Sequence, residues 1–158
     1  MANLHDIVQW CNQTLKANEF KDYAPNGLQI EGKTEVRKIL AAVTASQDAI
    51  DAAIRENADL LLVHHGYFWK GEAYPITGMR GKRIKSLIQH DISLLAYHLP
   101  LDSHPSLGNN AAIADLLKLE RIEALDPSER HPIGNIGYLN QPMPVEEFKK
   151  FVSKKLKF

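Results

Sequence analysis

An α/β fold, a parallel or mostly parallel sheet with flanking helices, is predicted by three features of the sequence. Apolar runs of strand length occur at 38–43, 59–63 and 92–97; segments of helical periodicity separate them; and the order alternates strand, helix, strand, helix, strand. Such alternation calls for right-handed crossovers, and strands covered on both faces read as continuous apolar runs. Ligand sites in such sheets gather beyond the C-terminal ends of the strands.

The elements follow in order. Asn3 is a candidate N-cap, and Leu4, Ile7, Val8, Cys11 and Leu15 recur at helical spacing, which predicts an amphipathic helix over 4–16 with Cys11 in the core. Asp22-Tyr23-Ala24-Pro25-Asn26-Gly27 combines a proline with an Asn-Gly pair and reads as a turn or loop. After the run at 38–43, Thr44 and Gln47 resemble a capping box that opens a helix over 46–57. The run at 59–63 is followed by a helix over 79–90 and the run at 92–97. A fourth helix starts at Asn109 or Asn110 and ends near Leu119, and 133–139 reads as a strand weakened by Gly134 and Gly137. Pro144 fits the first turn of a last helix whose apolar face is Val145, Phe148, Val152 and Leu156.

No repeat, low-complexity segment or linker interrupts the chain, so 1–158 is expected to be one α/β domain. A chain of this length buries roughly two-thirds of its unfolded surface. The composition, 44% hydrophobic and 24% charged, is that of a globular protein. Nineteen basic residues balance nineteen acidic ones, so no global positive field draws the chain to nucleic acid or anionic lipid. Lys149, Lys150, Lys154, Lys155 and Lys157 suit the C-terminal, solvated side of a helix better than a nucleic-acid patch. The start lacks a basic region followed by an apolar stretch, and no segment has the roughly 18 apolar residues of a membrane span, so a cytoplasmic protein is expected. Cys11 is the only cysteine, which leaves histidines and carboxylates as metal ligands.

His64-His65 follows the run at 59–63, His98 follows the run at 92–97, and Asp102 lies four residues further on. A lone histidine at a strand end most often hydrogen-bonds a loop. Three histidines and an aspartate expected at neighbouring strand ends favour a divalent-metal site with ligands from His64, His65 and Asp102. Adjacent strand residues point to opposite faces, so the histidine pair can serve one site only if the chain bends, which Gly66 permits. Imidazole with carboxylate suits Zn, Fe, Mn or Ni. His104 is a further donor, though Pro105 beside it favours a turn role. Tyr67-Phe68-Trp69-Lys70 is equally suited to stacking on a heterocyclic substrate and to packing in a core or subunit interface.

Gly27, Gly32, Lys33 and Thr34 satisfy the spacing of a phosphate loop, but the stretch follows a turn and precedes a strand. Its intervening residues Leu28, Gln29, Ile30 and Glu31 are bulky or acidic where amides must approach a phosphate. Nucleotide binding by this loop is not expected.

The ordered set Asn26-Gly27-Leu28-Gln29, Val63-His64-His65-Gly66, His98-Leu99-Pro100-Leu101-Asp102 and Gly108-Asn109-Asn110 resembles the YbgI-like, Nif-three-like family of dinuclear metal proteins, often described as GTP cyclohydrolase 1 type 2 homologues. The resemblance runs through most of the chain. It implies a Nif-three-like α/β subunit, a toroidal homohexamer, and two divalent ions per subunit facing an inner cavity. His64, His65 and Asp102 match family ligands, and His98 matches a histidine beside the site that supports the ligands or transfers a proton. The family's further histidine and glutamate ligands, near its C-terminus, have no counterpart after Asp102, so the chain reads as the N-terminal part of a longer protein. The implied function is a metal-dependent hydrolase resembling GTP cyclohydrolase 1 type 2; the alternative is a non-enzymatic metal-handling or scaffold protein. No residue identifies the small-molecule substrate.

Overall fold

The computed structural model describes residues 1–157. Its contacts gather into two compact units, the first Met1–Pro100 and the second beginning at Leu101, where the sequence reading runs 1–158 as one domain.

In the first unit, β1 (Ala2–Asn3) pairs antiparallel with β3 (Glu35–Val36). Between them lie α1 (Leu4–Thr14), a 3-10 turn at Ala17–Glu19 and β2 (Gly27–Ile30). Asn3 caps α1 as the sequence predicts, its Oδ1 accepting from His5 N at 2.8 Å. Next come β4 (Ile39–Thr44), α2 (Gln47–Arg55), β5 (Leu60–His65), α3 (Gly78–Gln89) and β6 (Ser93–Ala96), the expected alternation. α4 (Leu99–Asp102) is a single turn that carries the chain across the boundary.

The main sheet has the order β2-β6-β5-β4. β4–β5 and β5–β6 are parallel and β2–β6 is antiparallel, so the sheet is mostly parallel. β2 was not expected. It is short, carries Gln29 between Leu28 and Ile30, and pairs through a bulge with a strand more than sixty residues away, so local pattern does not reveal it. The phosphate-loop lookalike therefore begins as an edge strand and leads to β3, with no helix after it. The helix α2 is capped by Ser46, whose Oγ accepts from Ala49 N at 3.2 Å. The expected Thr44–Gln47 box does not form because Thr44 still belongs to β4 and pairs with His65.

The core clusters around the sheet: Leu61 and Val63 of β5 and Leu94 and Ala96 of β6 pack with Ile50 and Ala53 of α2 and Ile84 and Leu87 of α3. Every residue of β6 is buried. Its one polar side chain, Ser93, is satisfied by accepting from Gly32 N at 3.0 Å. Cys11 is buried, as expected of its place on α1.

In the second unit, α5 (Asn109–Leu117) buries Ala111, Ala114 and Leu117. β7 (Glu120–Ala124) pairs antiparallel with β8 (Asn135–Tyr138), and α6 (Val145–Leu156) follows Pro144. β7 also escaped the sequence reading, because Glu120, Arg121 and Glu123 leave it no apolar alternation. Gly108, ahead of α5, could carry no side chain: a Cβ there would lie 2.4 Å from His104 O and 2.5 Å from Leu101 O. Among the described residues no helix is long and apolar enough to cross a membrane.

Asp59 ties the entry of β5 to the turn before β4. Its Oδ2 accepts from Arg37 N at 2.9 Å and Lys38 N at 3.2 Å, and its Oδ1 lies 3.5 Å from Lys33 Nζ. The bond from Arg37 N, joined by Lys38 N and the Lys33 charge and opposed by burial, holds the carboxyl below its ordinary 3.8. A depressed folded-state value contributes stability that is full above the unfolded value and is lost as pH falls through the folded one. Asp59→Ala is expected to cost about 1–2 kcal/mol near neutrality, and its deficit relative to the parent should shrink as pH falls below 3.8. Urea melts across a pH series measure this.

Candidate metal centre

β5 ends on His64 and His65, two residues further than the sequence suggests, because Thr44 of β4 still pairs with His65. Neighbouring strand residues leave on opposite faces. The two rings nevertheless meet at a centroid distance of 4.4 Å, each anchored to a different neighbouring strand. His64 Nδ1 lies 2.9 Å from Tyr97 O, at the exit of β6, and His65 Nδ1 lies 3.2 Å from Thr44 Oγ1, at the exit of β4. A carbonyl only accepts, so His64 Nδ1 carries the proton of the neutral ring and the lone pair resides on Nε2.

His98, just beyond β6, completes the group. Its ring centroid is 5.0 Å from that of His64 and 5.7 Å from that of His65. All three histidines are half-buried, and each offers a ligand atom within 4.8 Å of the others. Two nitrogens bonded to one ion at about 2.0–2.1 Å are separated by at most roughly 4.2 Å. The group therefore suits a divalent ion after small side-chain rotations, and its donors are of the type that Zn, Fe, Mn and Ni accept.

An outer layer orients these rings. Asp22, its side chain only 3% exposed, lies with Oδ1 2.8 Å from His98 Nδ1. Asn26 Oδ1 accepts from His98 N at 2.7 Å. Burial pushes the Asp22 carboxyl up, but hydrogen bonds from His98, Asn26, Leu99 N and Tyr23 N outweigh it and hold the group below its ordinary value. In sequence 22–27 reads as a turn, with Asn26-Gly27 opening a family motif but neither Asp22 nor Asn26 given a role; nothing local announces the bonds to residues more than seventy positions away.

The loop after β5 closes over the same edge. Gln29 Oε1 accepts from Tyr67 N at 2.7 Å, and its Nε2 donates to Pro25 O at 2.8 Å. Gly66 leaves room for this contact: a Cβ there would sit 2.2 Å from Gln29 Oε1 and 2.8 Å from Ala96 Cβ. The aromatic run divides its roles. Tyr67 is core, donating to Ala45 O at 2.6 Å, with burial pushing its phenol up to about 12. Phe68 sits at φ 65° and is exposed, while Trp69 stands edge-on to His98 at 4.9 Å and donates from Nε1 to Gly66 O at 3.2 Å. Trp69 therefore walls the histidine group.

Asp102 is the last residue of α4 and belongs to the second unit. Its Oδ1 accepts from Asn109 Nδ2 at 2.8 Å, and it is not one of the three residues in the histidine group. His104 takes a turn role: its Nδ1 accepts from Ser106 N and Leu107 N at 3.3 and 3.0 Å.

The chain is similar to known proteins along most of its length. A family model described as Duf34/NIF3 (NGG1p interacting factor 3) matches residues 2–158. A protein of Haemophilus influenzae named GTP cyclohydrolase 1 type 2 homolog is 52% identical over 157 residues, which cover 99% of this chain and 61% of the relative. A Pseudomonas aeruginosa protein of the same name is 48% identical, over 94% of this chain and 59% of the relative. The chain thus spans about three-fifths of the length of the curated relatives it matches. Among solved structures, protein ybgI, described as of unknown function, superposes with a TM-score of 0.91 at 44% identity, covering 99% of this chain and 61% of that one.

Gly66→Ala tests the packing at the strand end. The methyl group must displace Gln29 or Ala96, with an expected cost of about 1–3 kcal/mol. Thermal melts measure that loss, and the Tyr67 amide should lose hydrogen-exchange protection as its bond to Gln29 breaks.

Proposed function

The chain belongs to the Duf34/NIF3 family, and on that premise we propose that it carries the imidazole-rich part of a dinuclear divalent-metal centre used for hydrolysis. The observation that carries this reading is the convergence of His64, His65 and His98 within 4.8 Å, each with its Nδ1 engaged by an outer partner. That pattern, one ring nitrogen on an outer partner and the other offered to metal, is how proteins orient histidine ligands.

We assign His64, His65 and Asp102 as ligands, Asp102 on its place in the family motif. A divalent ion held there supplies a Lewis acid and brings the pKa of a water toward neutrality. His98 accepts or returns a proton at Nε2. Trp69 shields His98 from bulk water on one side and offers a flat apolar wall to a heterocycle. The relatives' name, GTP cyclohydrolase 1 type 2 homolog, suggests water-driven opening of the guanine ring of GTP as the reaction; a homohexamer with two ions per subunit is what the family resemblance implies.

Metal content and zinc(II) affinity after chelator treatment and dialysis test the ligands. His64→Ala, His65→Ala and Asp102→Ala are each expected to lower affinity by at least about 100-fold, the upper end of what outer partners alone cost. Unchanged affinity in any one removes that residue from the set. Ring opening of GTP by the metal-loaded protein, followed by loss of guanine absorbance, tests the reaction. Failure to turn over combined with delivery of zinc to an apo-enzyme would assign a metal-handling role instead. Light scattering tests assembly, for which a monomer at micromolar concentration contradicts the hexamer.

A further inference from the structure

We propose that Asp22 is a positioning residue that holds His98 in its Nδ1-protonated form and so keeps the ring's lone pair on Nε2. Four N–H groups converge on the two oxygens of this carboxylate. Oδ1 lies 2.8 Å from His98 Nδ1 and 2.6 Å from Tyr23 N; Oδ2 lies 2.9 Å from both Leu99 N and Asn26 Nδ2. Three of the four are obligate donors, two backbone amides and a carboxamide NH₂. An ionised carboxylate has only acceptors, so the fourth partner, His98 Nδ1, must also donate. With its side chain 3% exposed, Asp22 leaves little room for water to take over any of these bonds.

The isosteric amide cannot replace it. If Asn at position 22 turned its oxygen to Leu99 N and Asn26 Nδ2, its NH₂ would oppose the Tyr23 N donor and face His98 Nδ1, which would have to accept, moving the ring proton to Nε2. If it turned the other way, its NH₂ would oppose the Leu99 and Asn26 donors. Asn26 cannot flip to relieve this, because its Oδ1 already accepts from His98 N at 2.7 Å. The turn at 22–26 therefore fixes both the backbone of residues 98 and 99 and the ring of residue 98, and the ring bond is the part that a merely structural clamp does not need.

The hydrogen bonds require a proton on Nδ1, which in the neutral ring makes Nε2 the lone-pair nitrogen; the use of that lone pair by the metal centre rests on the function proposed above. Nitrogen-15 NMR of the imidazole rings in chelator-treated protein at pH 8 reads the tautomer directly. The parent is expected to show His98 with its proton on Nδ1, and Asp22→Asn to move that proton to Nε2 while His64 stays protonated on Nδ1 through Tyr97 O. A parent ring protonated on Nε2, or a folded Asp22→Asn variant whose His98 keeps the Nδ1 proton, overturns the proposal. Should the variant fail to fold, the parent spectrum decides. Zinc(II) titration of the parent probes the metal reading separately: no binding removes the centre and leaves the tautomer assignment standing.

Discussion

The parallel register of β4, β5 and β6 is the constraint on which the site depends. Thr44 opposite His65 and Val63 opposite Ala96 bring the exits of three strands to one level. Only then do Thr44 Oγ1 and Tyr97 O flank the histidine pair, each holding one ring by its Nδ1. A slip of one residue would send every side chain of β5 to the other face and exchange core for site. The register is secured by burial: Leu60, Leu61, Val63, Leu94, Leu95 and Ala96 are nearly or fully inaccessible. The hydrophobic core thereby sets the spacing of the imidazoles.

A second level of order comes from the segment 22–30, which reaches the same sheet edge through polar side chains. Asp22 and Asn26 grip residues 98 and 99, and Gln29, from β2, bridges Pro25 O and Tyr67 N. The bonds to residues 98 and 99 and to Tyr67 N are half-buried, so each of them left unmet would cost more than its formation contributes in water, while the bond to Pro25 O is exposed. The close fit of Gln29 against Gly66 is the same demand expressed in volume.

Much of this was legible in the sequence. Alternating strands and helices gave the mostly parallel sheet, and His64, His65 and His98 stood where such sheets place their sites. The misses share a physical origin. β2 owes its strand state to pairing with β6, and β7 to pairing with β8, neither of which local composition encodes. Ser46 caps α2 in place of Thr44 because sheet pairing claims Thr44 first. Asp22, Asn26 and Trp69 act at the site through long-range contacts, and a turn motif or aromatic run in sequence carries no trace of the partner. Asp102, nominated by spacing and by the family resemblance, is not one of the three residues of the histidine group.

β5 presents two imidazoles whose Nδ1 atoms are engaged by the neighbouring strands, and the proposed point of metal entry is Nε2 of each ring. Anomalous diffraction from zinc-loaded crystals is the most direct measurement. Peaks are expected roughly 2.0–2.1 Å from Nε2 of His64 and of His65. Metal bonded to Nδ1 of either ring, or no peak at the end of β5, would contradict entry at Nε2.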